Sequence, residues 1–306
     1  MMKKVPLIEC HWEITNACNL ACIHCIANSG QKRSKELTTG KVKRAVDILE
    51  SLGCRIIKFT GGEPLVRKDF FQIASYCHKK GVILELLSNA TLINQKKAQR
   101  LKPLVKKVGV SIDGSNSRIN DQIRGLGSFE KILNGIENLR KQKIPITLFV
   151  TLTKINIQDI TNVLNLAKKL EIPEVRINDL SLSGRALTNE KVLFWNLRDK
   201  RASLIRIFIE FYECNKDKLA VDDNCEVNMT SIFLSSEGFI YPCIEVFQRT
   251  PENHLGNILN YTPKQFIGDK ERLLKEARDK KCCYEFIYGS GFRICINKQA
   301  KCVLAK

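Results

Sequence analysis

From residue 7 to about residue 180 the chain alternates strand-like and helical segments, and this alternation limits the fold more than any other feature. Short apolar runs stand at LIECHWEI (7–14), RIIKFT (55–60), GVILELLS (from 81), KKVGVSID (from 106), PITLFVTLT (from 145) and EVRINDL (from 174). Helical patterns lie between them. In TTGKVKRAVDILESLG, Thr38 or Thr39 offers an N-cap hydroxyl and Gly53 a C-terminal stop. Six such units in succession predict an α/β fold with a parallel sheet, because parallel neighbours need a crossover that a helix supplies. Sheets of this kind carry their sites at the carboxyl ends of the strands, so the loops after the strands are where chemistry is expected.

The loop after the first strand reads CNLACIHC, with Cys18, Cys22 and Cys25 spaced C-x3-C-x2-C. Three thiolates on one short loop can hold three irons of a four-iron cluster, whereas cuboidal iron–sulfur sites normally take four cysteines. One iron is then open to bind a ligand, as a catalytic zinc site keeps one position vacant. A structural zinc knuckle is the competing reading; it needs a fourth ligand, for which His24 and Cys10 are the nearest candidates in sequence. The loop after the second strand reads Gly61, Gly62, Glu63, Pro64. A glycine pair lets backbone approach a ligand closely because no Cβ intervenes. An ordinary strand-to-helix turn explains one glycine and the proline but not the cysteine loop upstream.

These two motifs, with LLSNA (86–90) closing the third strand and VGVSIDG (108–114) followed by DQIRGLGSFEKILNGIENL, resemble the radical S-adenosylmethionine (SAM) superfamily over about residues 7 to 180. The resemblance implies a partial (βα)6 radical SAM barrel. It implies a [4Fe-4S] cluster with an open iron, held by Cys18, Cys22 and Cys25 and chelated by S-adenosyl-L-methionine. Gly61, Gly62 and Glu63 would meet the amino group of the methionine moiety, and Ser111 and Arg124 its carboxylate. Ser88, Asn89 and Asp113 complete the cofactor-binding set. An acidic side chain such as Asp113 can accept from ribose hydroxyls, and an Arg fork suits a carboxylate; for Asp113 and Gly114, plain Asp-Gly turn chemistry is the alternative. In the family, one-electron reduction breaks the S–C5′ bond of bound SAM and gives methionine and a 5′-deoxyadenosyl radical that abstracts hydrogen from substrate. The protein contributes position, dryness and cluster potential.

After the sixth strand the alternation stops, and a helical stretch, RASLIRIFIEFYECNKDKL, leads into a cysteine-rich region. Cys225, Gly238 and Cys243 are spaced C-x12-G-x4-C, and HLGNI follows at 254–258. This resembles the opening of the auxiliary-cluster extensions called SPASM and twitch. FLSSEGFIYPC reads as a hairpin with Gly238 in its turn. The remainder departs from the SPASM pattern, since YGSGFR places Tyr288 and Phe292 where the family has cysteines. One small α+β domain with one auxiliary [4Fe-4S] cluster is the expectation, its ligands Cys225, Cys243, one of Cys282 and Cys283, and Cys295. The division expected is a core domain over 1–190, a helical connector over 191–219 and the auxiliary-cluster domain over 220–306. If the reaction ends by returning a hydrogen atom, Cys214 is the candidate donor, while Cys54 and Cys77 read as small buried hydrophobes.

Composition narrows the setting. The chain has 306 residues, 44% of them apolar, and 13 cysteines. No apolar run is long enough to span a membrane. MMKKVPLIEC lacks the apolar core of a signal peptide, so a cytoplasmic setting with reduced thiols is expected. The formal charge of +18 attracts polyanions. The basic residues, however, are scattered along helix faces such as KVKRAVDILE without interleaved aromatics or a nucleic-acid module, which argues against nucleic acid as the partner.

Enzymes that this chain resembles modify ribosomally made peptides, through thioether or carbon–carbon crosslinks or epimerisation. Others dehydrogenate a sugar alcohol or tailor a tetrapyrrole or quinone cofactor. The expected partners are therefore a peptide or small-molecule substrate and a one-electron donor such as flavodoxin or ferredoxin. A leader-binding domain, where needed, would be a separate protein. The peptide-modifying reading is preferred, because an acidic leader would suit a basic chain. A non-catalytic iron–sulfur or nucleic-acid-binding protein is the remote alternative, and the intact GGEP, SNA and SIDG segments argue against it.

Overall fold

The computed structural model describes residues 7–178, 180–181, 183–194, 219–221, 231–241, 252, 254–261 and 292–295, with 219–221 and 292–295 described as backbone. The expected strands are present as β1 (Glu9–Thr15), β2 (Ile56–Gly61), β3 (Ile83–Ser88), β4 (Lys107–Ser111), β5 (Ile146–Thr151) and β6 (Glu174–Asn178). They lie side by side in chain order and every neighbouring pair is parallel. The crossovers are α1 (Thr39–Ser51), α2 (Phe70–Lys79), α3 (Gln95–Leu101), the pair α4 (Ser117–Arg124) and α5 (Ser128–Lys141), and α6 (Ile160–Lys169).

Local chemistry sets the helix ends. Thr38 caps α1 by accepting from Lys41 N, and Gly53 follows the helix with φ +90°. The segment DQIRGLGSFEKIL forms two helices, not one, because Gly125 and Gly127 both take positive φ, +109° and +72°. The Asp121 carboxylate then accepts from Gly127 N, Ser128 Oγ and Phe129 N and so starts α5.

Strand periodicity sorts the side chains into two faces. Trp12, Phe59, Leu84, Leu86, Val108, Val110, Leu148, Val150 and Val175 are buried in the core beneath the helices. There Trp12 meets Phe59 edge-on at 5.8 Å, and Phe59 meets Phe70 at 6.3 Å. The alternate positions carry a charge ladder across the other face. Lys58 and His11 contact Glu9, Lys107 Nζ stands 3.8 Å from Glu85 Oε2, and Arg176 Nε stands 3.0 Å from Glu174 Oε1.

Further strands extend this sheet at both edges. β8 (Ser231–Leu234) runs parallel to β1 and turns back as β9 (Ile240–Tyr241), while β10 (Phe292–Cys295) pairs antiparallel with β6 and with β7 (Leu219–Val221). The expected hairpin is therefore present, with Gly238 at φ +88° in its turn and Phe233 opposite Tyr241. HLGNI docks against it, since Leu255 N donates to Ile240 O, Ile240 N to Gly256 O and Ile258 N to Gly238 O. Segments assigned in sequence to an auxiliary domain thus continue the core sheet. Short helices α7 (Arg185–Thr188) and α8 (Glu190–Leu193) follow β6. Among the described residues no helix is long and apolar enough to cross a membrane.

Candidate active site

The cysteine loop is closed at its base by Cys18 N donating to Gly30 O and Gly30 N to Asn16 O. Glu36 fastens its entry, its carboxylate accepting from Asn16 N at 2.7 Å, from Thr15 Oγ1 at 2.9 Å and from Arg33 N at 3.1 Å. Two sulfurs face backbone amides, with Leu20 N and Ser29 N each 3.4 Å from Cys18 Sγ and Cys25 Sγ. Cys22 is buried against the end of α4, its sulfur 3.8 Å from Arg124 O.

The sequence-predicted residues converge here from four strand ends. Gly61 and Gly62 lie against the start of the loop, where Gly62 N donates to Thr15 O and Glu63 N to Ala17 O. A Cβ on Gly61 would stand 2.1 Å from Thr15 O, and one on Gly62 2.1 Å from Ala17 O. The glycine pair is thus required by the close approach of two backbones, whatever ligand it also serves. Glu63 is fully buried, and its carboxylate accepts from Leu65 N, Ser88 Oγ and Asn89 N. Asn89 continues to the cysteine loop, with Nδ2 3.0 Å from Asn19 Oδ1 and 3.9 Å from Cys18 Sγ. Ser111 is half-buried at the end of β4, and its hydroxyl has no hydrogen-bond partner among the described residues.

Asp113 and Arg124 are paired with each other behind the cysteine loop. The Asp113 carboxylate is fully buried, with Oδ2 2.8 Å from His24 Nε2 and 2.7 Å from Arg124 Nε, and Oδ1 accepting from Thr151 N. A carboxylate so engaged is a hub joining the cysteine loop to α4 and β5. Burial pushes the Asp113 pKa up, but Arg124 and His24 outweigh it and hold the group at about 2. For Glu63, burial dominates over its hydrogen-bond donors and raises the carboxyl to about 7.

Sequence reading missed the partners that hold the loop. His24 lies inside the motif itself and Glu36 beyond it, and neither has a local pattern that announces its role. Arg185 and Asn189, from the segment after β6, reach loop carbonyls more than 150 residues away in sequence. The only signal for them was the glycine-bearing SGRALTNE stretch where the alternation ends.

Cys10, Cys54 and Cys77 are buried in the core, and burial raises the Cys54 and Cys77 thiols to about 12. Cys214, Cys225, Cys243, Cys282 and Cys283 lie outside the described residues. Cys295 ends β10 opposite Glu174, at the amino end of β6 and so at the other end of the sheet from the cysteine loop.

The donor set fits an iron–sulfur cluster better than a single ion. Three thiols share one loop with amides directed at two of the sulfurs, and such hydrogen bonds are a recognised means of stabilising cluster thiolates. The buried Nδ1 of His24 beside them has no partner among the described residues. Among the described residues no three His, Cys, Asp or Glu side chains are grouped closely enough to hold one metal ion.

Comparison with known proteins agrees with this geometry. The sequence pattern of the radical SAM superfamily matches residues 12–167. An AdoMet-dependent heme synthase of Methanosarcina barkeri is 36% identical over 218 residues, covering 70% of this chain and 60% of its own length. The mycofactocin maturase MftC of Mycolicibacterium smegmatis is 34% identical over 288 residues, covering 88% of this chain and 71% of its own. The crystal structure described as native anSMEcpe with bound AdoMet superposes with a TM-score of 0.73 at 21% identity, covering 91% of this chain and 87% of that one, so the shared fold reaches past the six-stranded core. This chain spans less than two thirds of the heme synthase's length, while the family pattern covers half of the chain and falls on the cysteine loop and the strands that present it. The chain belongs to the radical SAM superfamily.

Proposed function

We propose that this protein is a radical SAM enzyme that modifies a peptide. Cys18, Cys22 and Cys25 would hold the [4Fe-4S] cluster, and Gly61, Gly62, Ser88, Asn89, Ser111 and Arg124 would line the SAM site around it. The observation that carries the reading is the convergence of these residues at the carboxyl end of one parallel sheet, where Asn89 already bonds to the cysteine loop. When bound, the cluster and SAM supply one-electron cleavage to a 5′-deoxyadenosyl radical that abstracts hydrogen from substrate.

The chain's own residues prepare that chemistry. The Glu63 carboxylate fixes the ends of β2 and β3 against each other, so that the backbone of the glycine turn keeps one orientation. Ser111 presents from β4 a hydroxyl that is unengaged among the described residues. The Asp113 hub orients Arg124 from behind, leaving the guanidinium edge away from Nε to meet a carboxylate. The charge ladder across the sheet gives the face opposite the helices a polar character suited to a peptide or another hydrogen-bonding substrate.

The maturase named among the relatives spans 88% of this chain and supports the peptide reading. A second reading, tailoring of a tetrapyrrole, is favoured by the heme synthase, the more identical of the two over a shorter stretch. One auxiliary [4Fe-4S] cluster, held by Cys225, Cys243, one of Cys282 and Cys283, and Cys295, belongs to the proposal, as do a cytoplasmic setting and a flavodoxin- or ferredoxin-like donor. The test is to supply deuterated acidic-leader peptides and, separately, deuterated iron porphyrins to the reduced, SAM-loaded enzyme. Deuterium in 5′-deoxyadenosine from a peptide supports the first reading, from a porphyrin the second, and from neither counts against both.

A further inference from the structure

Resting on the cluster reading above, we propose that the segment Ser183–Asn189 is a clamp on the cysteine loop, and that Arg185 within it both positions the three thiols and supplies a fixed positive charge that favours the reduced cluster. The loop from Cys18 to Gly30 has no helix or strand of its own, so its carbonyls need partners from elsewhere. One segment supplies most of them. Arg185 N donates to Cys25 O at 2.9 Å, its Nε to Cys22 O at 2.8 Å, and its Nη1 to Ser29 O at 2.7 Å and Asn28 Oδ1 at 3.1 Å. Asn189 Nδ2 donates to Ile23 O and Ser183 Oγ to Ile26 O, each at 3.2 Å. Gly184 takes φ +55°, and a Cβ there would stand 2.4 Å from both Cys25 O and Ile26 O, so the clamp approaches as closely as backbone allows.

Five loop carbonyls are thereby drawn outward while amides remain directed at the Cys18 and Cys25 sulfurs. That is the polarity an anionic cluster needs, because carbonyl dipoles aimed at it would repel its charge and amide dipoles stabilise it. Charge points the same way. Arg124, the other guanidinium at the loop, is neutralised by Asp113 at 2.7 Å. Arg185 has no carboxylate within ion-pair distance among the described residues, so its charge is uncompensated there, and its Nε and Nη1 lie directly against the loop at Cys22 O and Ser29 O. Reduction adds one negative charge to the cluster, and a nearby guanidinium charge lowers the free energy of that state.

The experiment uses the full chain, reconstituted anaerobically with iron and sulfide, and follows the electron paramagnetic resonance signal that shifts on adding SAM. Arg185→Met, Arg185→Lys and Asn189→Ala are compared with wild type for the midpoint potential of that signal and for its loss under a chelator; thermal unfolding of the metal-free proteins controls for folding. Arg185→Met is expected to move the potential to more negative values and to speed cluster loss about tenfold, the usual effect of removing an outer partner of a metal ligand. Arg185→Lys keeps the charge, so its potential should stay nearer wild type while cluster loss still accelerates. Asn189→Ala should accelerate loss at an unchanged potential. A folded Arg185→Met protein with wild-type potential and wild-type cluster loss would overturn the clamp. Absence of any SAM-responsive signal from the wild type would instead overturn the cluster reading beneath it.

Discussion

At the level of single residues, two buried carboxylates set the site's response to pH in opposite directions. Asp113 is held at about 2, below the ~3.9 of an unfolded aspartate. Its stabilisation is complete above the unfolded value and is lost as pH falls through the folded one. Asp113→Asn leaves Arg124 and His24 facing an amide, and is expected to cost about 3–5 kcal/mol in urea unfolding at neutral pH. That difference should disappear as the pH approaches 2. Glu63 is the reverse case, raised to about 7 from an unfolded ~4.3. The folded protein then holds the extra proton, so stability attributable to Glu63 falls as pH rises from the unfolded value toward 7. Glu63→Gln should remove that slope, as seen by comparing unfolding free energies of the two proteins across the window. The cysteines and glycines of the site were legible in sequence because spacing alone defines them. The engagement of Asp113 was not, because its partners His24, Arg124 and Thr151 come from three other segments.

Among the elements, the turn after β2 and the joint between α4 and α5 show two uses of glycine. At Gly62 a Cβ would meet Ala17 O at 2.1 Å and Asn16 O at 2.6 Å, so only displacement of the cysteine loop makes room. Gly62→Ala is expected to destabilise the metal-free protein by about 1–3 kcal/mol, the range for overpacking, and to reduce iron bound after reconstitution. At Gly127 nothing lies within 4 Å of the Cβ position, and only the φ of +72° is at stake. Gly127→Ala should cost about 1 kcal/mol and leave iron binding unchanged, both read from urea unfolding and iron analysis of the same preparation. The βα alternation made the six central strands legible, and Gly238 made the hairpin so. The placement of that hairpin beside β1 was not legible, since β8 pairs with a strand more than 200 residues earlier and no local pattern encodes such a partner.

For the molecule as a whole, the parallel sheet brings the ends of β1, β2, β3 and β4 to one site, and the segment after β6 returns to close over it. Motifs scattered from Cys18 to Arg124 are thereby brought to one end of the sheet, and the chain from 183 to 189 contacts the cysteine loop although no motif marks it. The net charge of +18 adds a general attraction for anionic partners. The central claim is that Cys18, Cys22 and Cys25 hold a cluster that cleaves SAM. The measurement that tests it most directly is anaerobic reconstitution of the wild type and of a variant with all three cysteines changed to alanine, followed by dithionite reduction with SAM and quantitation of iron and 5′-deoxyadenosine. Two four-iron clusters predict about eight irons per wild-type chain, about four in the variant, and 5′-deoxyadenosine from the wild type alone. Equal iron in both proteins, or no 5′-deoxyadenosine from fully loaded wild type, would contradict the claim.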